Sequence, residues 1–122
     1  MSDRLVGLEI EELDDVVIAH VTGELDIAEA SVTGDEITEA VPSSAHGLVL
    51  DLLELGFIDS SGIAMLFQLV RHVSARRQEL RVVAKPGGPV ARVLEIVEFE
   101  SAAPVLADLD EAIASVDSAS AG

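Results

Sequence analysis

Two neighbouring hydroxyl side chains, Ser60 and Ser61, follow Asp59 where an apolar helical pattern begins. Aspartate and serine commonly cap helices, because their oxygens accept hydrogen bonds from backbone N–H groups that are unpaired in the first turn. The same end of a helix carries free donors and a partial positive charge, which suits a phosphate group. The residues themselves leave two interpretations open, a helix cap and a serine that accepts a phosphate.

The next residues of the predicted helix bear on that choice. Gly62 leaves the first turn without a side chain, so the backbone of another protein can approach closely. The positions expected to face a sheet are Ile63, Leu66, Val70 and Val73. Met65 and Leu69 lie on a different side of the helix. They are either buried under a neighbouring helix or exposed as an apolar strip beside the serines, and such a strip would mark a docking surface.

The surroundings of these serines disfavour an enzyme. A serine nucleophile needs a base within hydrogen-bond reach and a third group to orient that base. The histidines of the chain are His20, His46 and His72. Their spacing unites none of them with the serines, and segment 86–89 lacks the glycine-lysine-serine/threonine ending of a phosphate loop. With no cysteine for a thiolate site, we expect neither catalysis nor a metal or other cofactor.

Composition and charge predict an acidic protein with an aliphatic core. The 122 residues carry a formal net charge of −16 and include only three aromatic side chains, all phenylalanine. This charge would repel nucleic-acid phosphates, so we expect no direct binding to nucleic acid. It either solvates the surface or steers the protein toward a basic partner. No apolar run reaches the roughly 18 residues of a membrane span, and no secretory signal opens the sequence. We therefore expect no membrane insertion and a cytoplasmic location.

The elements that position the serines alternate between strand and helix. Strands are predicted at 5–10, 16–21, 47–52, 80–85 and 103–106, and helices at 26–41, 59–77, 89–99 and 108–116. Asp26 is the expected cap of the first helix, in which Gly34 introduces some irregularity. The pattern predicts an α/β fold with a mixed, mostly parallel sheet of about five strands and about four helices. One domain covers residues 1–116, and the tail 117–122 is expected to fray.

Four stretches, spread over nearly the whole chain, carry a family resemblance. They are Val-Thr-Gly-Glu-Leu-Asp at 21–26, Val-Leu-Asp-Leu at 49–52 followed by Phe-Ile-Asp-Ser-Ser-Gly-Ile at 57–63, Leu-Arg-Val-Val at 80–83, and Val-Ala-Arg-Val-Leu-Glu-Ile at 90–96. In this order and spacing they resemble the STAS domain (sulfate transporter and anti-sigma factor antagonist). Within that family, the chain looks like the free-standing bacterial anti-sigma factor antagonists.

The resemblance implies a partner-switching mechanism. An unphosphorylated antagonist of this family binds an anti-sigma factor, which is a small serine kinase, and so frees a sigma factor for transcription. The kinase inactivates the antagonist by phosphorylating the serine after the motif aspartate, and a phosphatase restores it. Carried over to this chain, Ser60 is the phosphoacceptor, Asp59 the motif acid and Ser61 the neighbouring hydroxyl. Asp26 is the acid of the earlier turn and is expected near Ser60.

The partner-binding residues implied by this interpretation share one end of the predicted sheet and the helix that follows. They are Asp26, Asp59, Ser61, Gly62, Met65 and Leu69. Two alternatives stay open beside it. One is a scaffold that is never phosphorylated, and the other is an accessory subunit of a lipid or anion transporter. An exposed strip at Met65 and Leu69 would serve a homodimer as readily as a kinase.

Overall fold

Strands and helices alternate along the computed structural model, which describes the backbone of residues 5–121 and the side chains of residues 5–116. The strands are β1 (Val6–Leu13), β2 (Val16–Leu25), β3 (Gly47–Asp51), β4 (Leu55–Ile58), β5 (Glu79–Val83) and β6 (Val105–Leu106). The helices are α1 (Ala30–Ala40), α2 (Ser60–Ala75), α3 (Pro89–Ile96) and α4 (Leu109–Ala121), with a short 3₁₀ turn at Phe99–Ser101.

The strands form one mixed sheet in the order β1-β2-β3-β5-β6, and β4 pairs with β2 beside this path. Only the β1–β2 hairpin is antiparallel; the pairings of β2 with β3, β3 with β5, β5 with β6 and β2 with β4 are all parallel. The α/β fold with a mostly parallel sheet is therefore confirmed. Since parallel strands run the same way, the carboxyl ends of β2, β3, β4, β5 and β6 meet at one edge of the sheet.

Helices cover both faces of this sheet. One face carries the larger apolar core, to which α1, α2 and α3 contribute buried side chains, and the other carries a smaller core under α4. Strand β3 is buried on both faces, because Leu48 and Leu50 join the larger core while Val49 joins the smaller one. Burial on both faces explains why Leu48, Val49 and Leu50 form an uninterrupted apolar run. No helix within residues 5–121 combines the length and apolar character needed to cross a membrane.

The packing of α1 on α2 decides what happens to Met65 and Leu69. These side chains are only 4% and 2% exposed, so the expectation of an exposed strip is wrong and the burial alternative is correct. Gly34 lies where the helices approach: a Cβ at this position would stand 2.7 Å from Cγ of Met65. The glycine that suggested an irregular helix is thus what lets α1 lie on α2. The same burial removes the strip that would have served a homodimer or a kinase.

Several predicted boundaries are corrected by the structure. Helix α1 begins at Ala30 after the N-cap Glu29, and not at Asp26. Residues 55–58, for which no strand was predicted, form strand β4. The β1–β2 turn narrows to two residues, Asp14 and Asp15, both in the left-handed region. Helix α3 ends at Ile96 and α4 continues to Ala121. Residues 1–4 and 122 lie outside the described part, as do the side chains of 117–121, so the predicted fraying of 117–122 stays a prediction.

Candidate functional site

The ends of β2 and β4 bring two carboxylates to the same edge of the sheet. Leu25 pairs with Ile58 in the parallel register, and Asp26 and Asp59 are the next residues of the two strands. The backbone N–H of Asp59 donates to the Leu25 carbonyl at 3.2 Å, which extends the pairing by one step. The structure therefore places Asp26 beside the start of α2, where the sequence led us to expect it.

Asp59 is the N-cap of α2, and both of its carboxylate oxygens are in use. Oδ1 accepts from the backbone N–H groups of Ser61 (2.9 Å) and Gly62 (3.1 Å). Oδ2 accepts from the backbone N–H of Ile27 at 3.1 Å. One side chain thus satisfies two unpaired donors of the helix and also fastens the loop after β2 to it.

Asp26 closes a turn instead of capping a helix. Its Oδ1 accepts from the N–H of Ala28 at 3.0 Å, and its carbonyl accepts from the N–H of Ala30 at 2.9 Å. The three residues between Asp26 and Ala30 form a turn before α1 begins. This turn is the segment that Asp59 holds through Ile27, so both aspartates shape the same loop.

The two serines differ in accessibility. Ser60 is exposed at the first position of α2, and within the described residues its hydroxyl makes no hydrogen bond. Ser61 is half-buried and lines a groove between α1 and α2. Because Asp59 alone caps the helix, neither hydroxyl is needed as a cap. The Ser60 hydroxyl is thereby left free to react.

Helix donors are less available to a phosphate than the sequence suggested. A phosphoryl group on Ser60 would lie beside the first turn, but the N–H groups of Ser61 and Gly62 already donate to Asp59. The phosphate would therefore lie beside a neighbouring carboxylate that already takes two of the first-turn donors. We expect its charge to face solvent or a bound protein, not to be absorbed by the helix.

Gly62 serves packing inside the domain, in contrast to the open surface expected from the sequence. The residue is buried. A Cβ here would stand 2.5 Å from Cγ1 of Ile58 and 2.8 Å from the carbonyl oxygen of Leu25. The absence of a side chain lets the first turn of α2 rest on the ends of β2 and β4. A partner's backbone is therefore not what this glycine accommodates.

A groove of about 560 Å³ runs between α1 and α2, from Ile27 and Ser61 toward His72. Met65 and Leu69 line its floor. Their near-complete burial limits them to the bottom of the groove. Of the predicted partner-binding residues, only Asp26, Asp59 and Ser61 therefore retain a partly exposed surface beside Ser60.

Two exposed apolar side chains beside Ser60 were missed from the sequence. Ile27 is 79% exposed and Phe57 is 46% exposed. Ile27 belongs to the loop that Asp59 holds, and Phe57 is the penultimate residue of β4. Ile27 was absorbed into a helix predicted to start at Asp26. Phe57 had a detectable signal, because strand alternation turns it away from the core once Ile58 is buried.

A second polar cluster occupies the opposite, α4-bearing face of the sheet. His20 of β2 contacts Asp51 of β3 through Nδ1 (2.6 Å) and Glu11 of β1 through Nε2 (2.9 Å). Both contacts are hydrogen bonds only when each ring nitrogen carries a proton, as in the imidazolium. Partial burial lowers the pKa of His20, but hydrogen bonds to Glu11 and Asp51 and their Coulombic attraction outweigh it, so the pKa is raised above the ordinary value of 6.5. His20 thus ties three strands together in its charged form.

This cluster predicts a pH dependence of stability. Because the pKa of His20 is raised on folding, its contribution is fully present below the unfolded-state value and is lost as pH rises through the folded-state value. His20→Gln should lower the free energy of unfolding at mildly acidic pH, and the difference from the parent should shrink at alkaline pH. Urea denaturation followed by circular dichroism at several pH values measures this. A difference in the free energy of unfolding between His20→Gln and the parent that stays constant at every pH would contradict the assignment.

Asp59 also gives a prediction about stability. In Asp59→Asn the amide oxygen still accepts from Ser61 and Gly62, but the amide nitrogen cannot accept from Ile27. We expect the variant to lose about 1 kcal/mol of the free energy of unfolding. The matched control is Asp108→Asn, because the Asp108 side chain accepts from the N–H of Glu111 through one oxygen, a bond that asparagine retains. Equal stability of the two variants in urea denaturation would show that the bond to Ile27 contributes nothing.

Known anti-sigma factor antagonists have a similar fold. An anti-sigma factor antagonist from Mycobacterium paratuberculosis is 25% identical, with a TM-score of 0.82 over 92% of this chain and 94% of that chain. SpoIIAA, an anti-sigma factor antagonist, is 22% identical in its unphosphorylated form, with a TM-score of 0.68 over 91% and 98% of the two chains. SpoIIAA from Bacillus in its phosphorylated form is also 22% identical, with a TM-score of 0.66 over 90% of this chain and 99% of that chain. The family model for the STAS domain matches residues 7–112, and the chain therefore belongs to the STAS domain family.

Proposed function

We propose that this protein is an anti-sigma factor antagonist that acts in the cytoplasm by binding, not by catalysis. In its unphosphorylated state it binds an anti-sigma factor serine kinase and thereby frees a sigma factor for transcription. Phosphorylation of Ser60 by that kinase ends the binding, and a phosphatase restores it. The observation that carries the proposal is the exposed Ser60 hydroxyl, which has no partner among the described residues and starts a helix that Asp59 already caps.

Accessibility favours Ser60 over Ser61 as the phosphoacceptor. A kinase must bring its phosphoryl donor in line with the serine oxygen, which requires open space around that oxygen. Ser60 is exposed, whereas Ser61 is half-buried in the groove between α1 and α2. The likeness to the Mycobacterium paratuberculosis antagonist, over nearly the full length of both chains, supports the role of antagonist.

The surface around Ser60 has the character of a protein-binding site. Ile27 and Phe57 expose apolar area next to the serine, although side chains of this size are usually buried. Aromatic side chains are frequent among the residues that contribute most to protein interfaces. We propose that the kinase packs against the neutral hydroxyl of Ser60 and also covers Ile27 and Phe57.

A phosphate on Ser60 would oppose that packing through size and charge. It adds about −1.5 to −2 charges, next to Asp59 and close to Asp26. Asp59 already accepts from the N–H groups of Ser61 and Gly62, so the added charge lies beside a carboxylate at the interface. A loss of ~3 kcal/mol weakens binding more than a hundredfold. The proposed switch therefore requires no change of fold.

The net negative charge of the protein affects how it meets the kinase. With 23 acidic and 7 basic side chains, the protein attracts a partner whose docking face is basic. Such attraction raises association rates and falls with ionic strength. We propose that the kinase presents a basic face and that its association slows as salt is added.

The decisive experiment is to isolate the protein from its own cells, stressed and unstressed, and to map phosphate by intact-mass and fragment mass spectrometry. Fragment spectra separate Ser60 from Ser61, so the neighbouring hydroxyl serves as an internal control. We expect phosphate on Ser60 with an occupancy that changes under stress. A protein that is unmodified in every condition would contradict the proposed phosphorylation switch and favour a constitutive scaffold or a transporter subunit.

A further inference from the structure

A second apolar pocket, of about 630 Å³, lies at the same carboxyl edge of the sheet but away from Ser60. It is bounded by α3, the 3₁₀ turn and the segments that follow β5 and β6. Its apolar lining includes Ala84, Leu94, Val105 and Leu106. It shares no lining residue with the groove beside Ser60. This pocket has no part in the proposed switch.

Three carboxylates surround the pocket. Glu95 lies in the last turn of α3, and Glu98 and Glu100 lie in the segment after it; all three line the pocket and are exposed. Among residues 5–116, no basic side chain forms an ion pair with any of them. An apolar pocket edged by unpaired carboxylates is complementary to an apolar side chain that has positively charged groups next to it.

Exposed apolar area continues outside the pocket and indicates the size of the occupant. Ile96 is 74% exposed, and Val97 next to it is also exposed. Neither residue lines the pocket, so a small molecule held inside it would leave Ile96 in water. A protein segment lying across the end of α3 would cover both the pocket and these side chains.

We infer that this pocket docks a segment of another protein in which an apolar side chain is flanked by lysine or arginine. The apolar side chain enters the pocket, and the cations meet Glu95, Glu98 and Glu100. A second copy of this chain is the wrong occupant, because a two-fold contact would bring two acidic rims together. The site lies outside the Ser60 surface, so this domain holds a second protein contact that phosphorylation of Ser60 does not control.

Tryptophan fluorescence offers a direct test, because the chain contains neither Trp nor Tyr. The probe is a short synthetic peptide of lysine and leucine with a single central tryptophan. We expect saturable binding with a blue shift of the peptide's emission, which reports entry of the indole into an apolar site. Ser60→Asp should bind the peptide as the parent does, which separates this site from the proposed switch.

Charge-matched variants distinguish docking from general attraction to an acidic protein. The triple variant E95Q/E98Q/E100Q should weaken binding about tenfold, as expected for three exposed ion pairs. The control E12Q/E39Q/E111Q changes the net charge equally at exposed glutamates outside the pocket and should change affinity less than about twofold. Equal weakening by both triples would mean non-specific adhesion and overturn the inference.

A shape variant tests the apolar half of the site. Ala107 lines the pocket and is exposed, so Ala107→Leu narrows the opening without disturbing the core. It should abolish the blue shift while the circular dichroism spectrum stays unchanged. An unaltered blue shift overturns the inference. So does a parent protein that sediments as a dimer and becomes monomeric in Ala107→Leu, because the occupant is then a second copy.

Discussion

Ser60→Asp is expected to weaken binding to the anti-sigma factor kinase more than about a hundredfold, which corresponds to ~3 kcal/mol. The exposed hydroxyl is replaced by a carboxylate beside Asp59, and that aspartate already accepts the first helix donors. The new charge therefore lies next to an existing carboxylate and must be desolvated with it at the interface, which is costly when no partner is supplied. The fold should be unaffected, since the hydroxyl of Ser60 has no intramolecular bond among the described residues to lose.

Calorimetric titration with the kinase that co-purifies from the same cells measures this change. Ser43→Asp adds the same charge at an exposed serine in the loop after α1 and should leave the affinity within about twofold. Ser60→Ala should bind as the parent does but resist phosphorylation. Unchanged affinity of Ser60→Asp, with an unchanged circular dichroism spectrum, would falsify the proposed switch.

The start of α2 was predictable because its determinants are local. Asp59 caps a helix whose first residues follow it directly, and the bonds to Ser61 and Gly62 span only two and three positions. The parallel sheet was predictable from the alternation of elements, and β3 from its uninterrupted apolar run. Such features are determined within short stretches of chain and do not depend on how the elements pack together.

The features that escaped prediction depend on residues far apart in the sequence. The pKa of His20 is raised by Glu11 and by Asp51, the second of them 31 positions away, through a strand register that local patterns do not specify. Whether Met65 is buried or exposed depends on how closely α1 approaches, and that depends on Gly34. Strand β4 has four residues and pairs only with the end of β2, so it lacked the length for a clear alternation. The open choices at the sequence level were therefore settled by tertiary contacts.

Asp26 illustrates a correct location with a wrong local role. The residue type favours an N-cap, and the sequence placed it near Ser60. In the structure its side chain bonds to Ala28 within a turn, while α1 starts four residues later. The intervening loop reaches back to Asp59 through Ile27, 32 positions apart. A long-range bond thus favours a turn that shields the ends of β2 and β4 and leaves Ile27 at the surface.

Gly62→Ala is the substitution in this site expected to destabilise the fold most. Alanine gains up to about 1 kcal/mol over glycine within a helix, so propensity alone predicts stabilisation. The new Cβ would stand 2.5 Å from Cγ1 of Ile58 and 2.8 Å from the backbone oxygen of Leu25, and overpacking of this kind costs about 1–3 kcal/mol. A backbone oxygen in a paired strand cannot swing aside as a side chain can. The cost of overpacking should therefore exceed the gain in helix propensity, with a net loss of up to about 2 kcal/mol.

Gly56→Ala provides the matched control, because its Cβ would meet only the carbonyl oxygen of Gly23, at an ordinary 3.7 Å. Alanine there should be neutral or slightly stabilising, since it loses less backbone entropy on folding than glycine. Urea denaturation of both variants by circular dichroism compares the two free energies of unfolding. Relief of the clash in Gly62→Ala also requires the first turn of α2 to move away from the strand ends, which displaces Ser60. Gly62→Ala should therefore weaken kinase binding, whereas Gly56→Ala should not. If Gly62→Ala is as stable as Gly56→Ala, the close contact between α2 and the strand ends does not hold the serine in place.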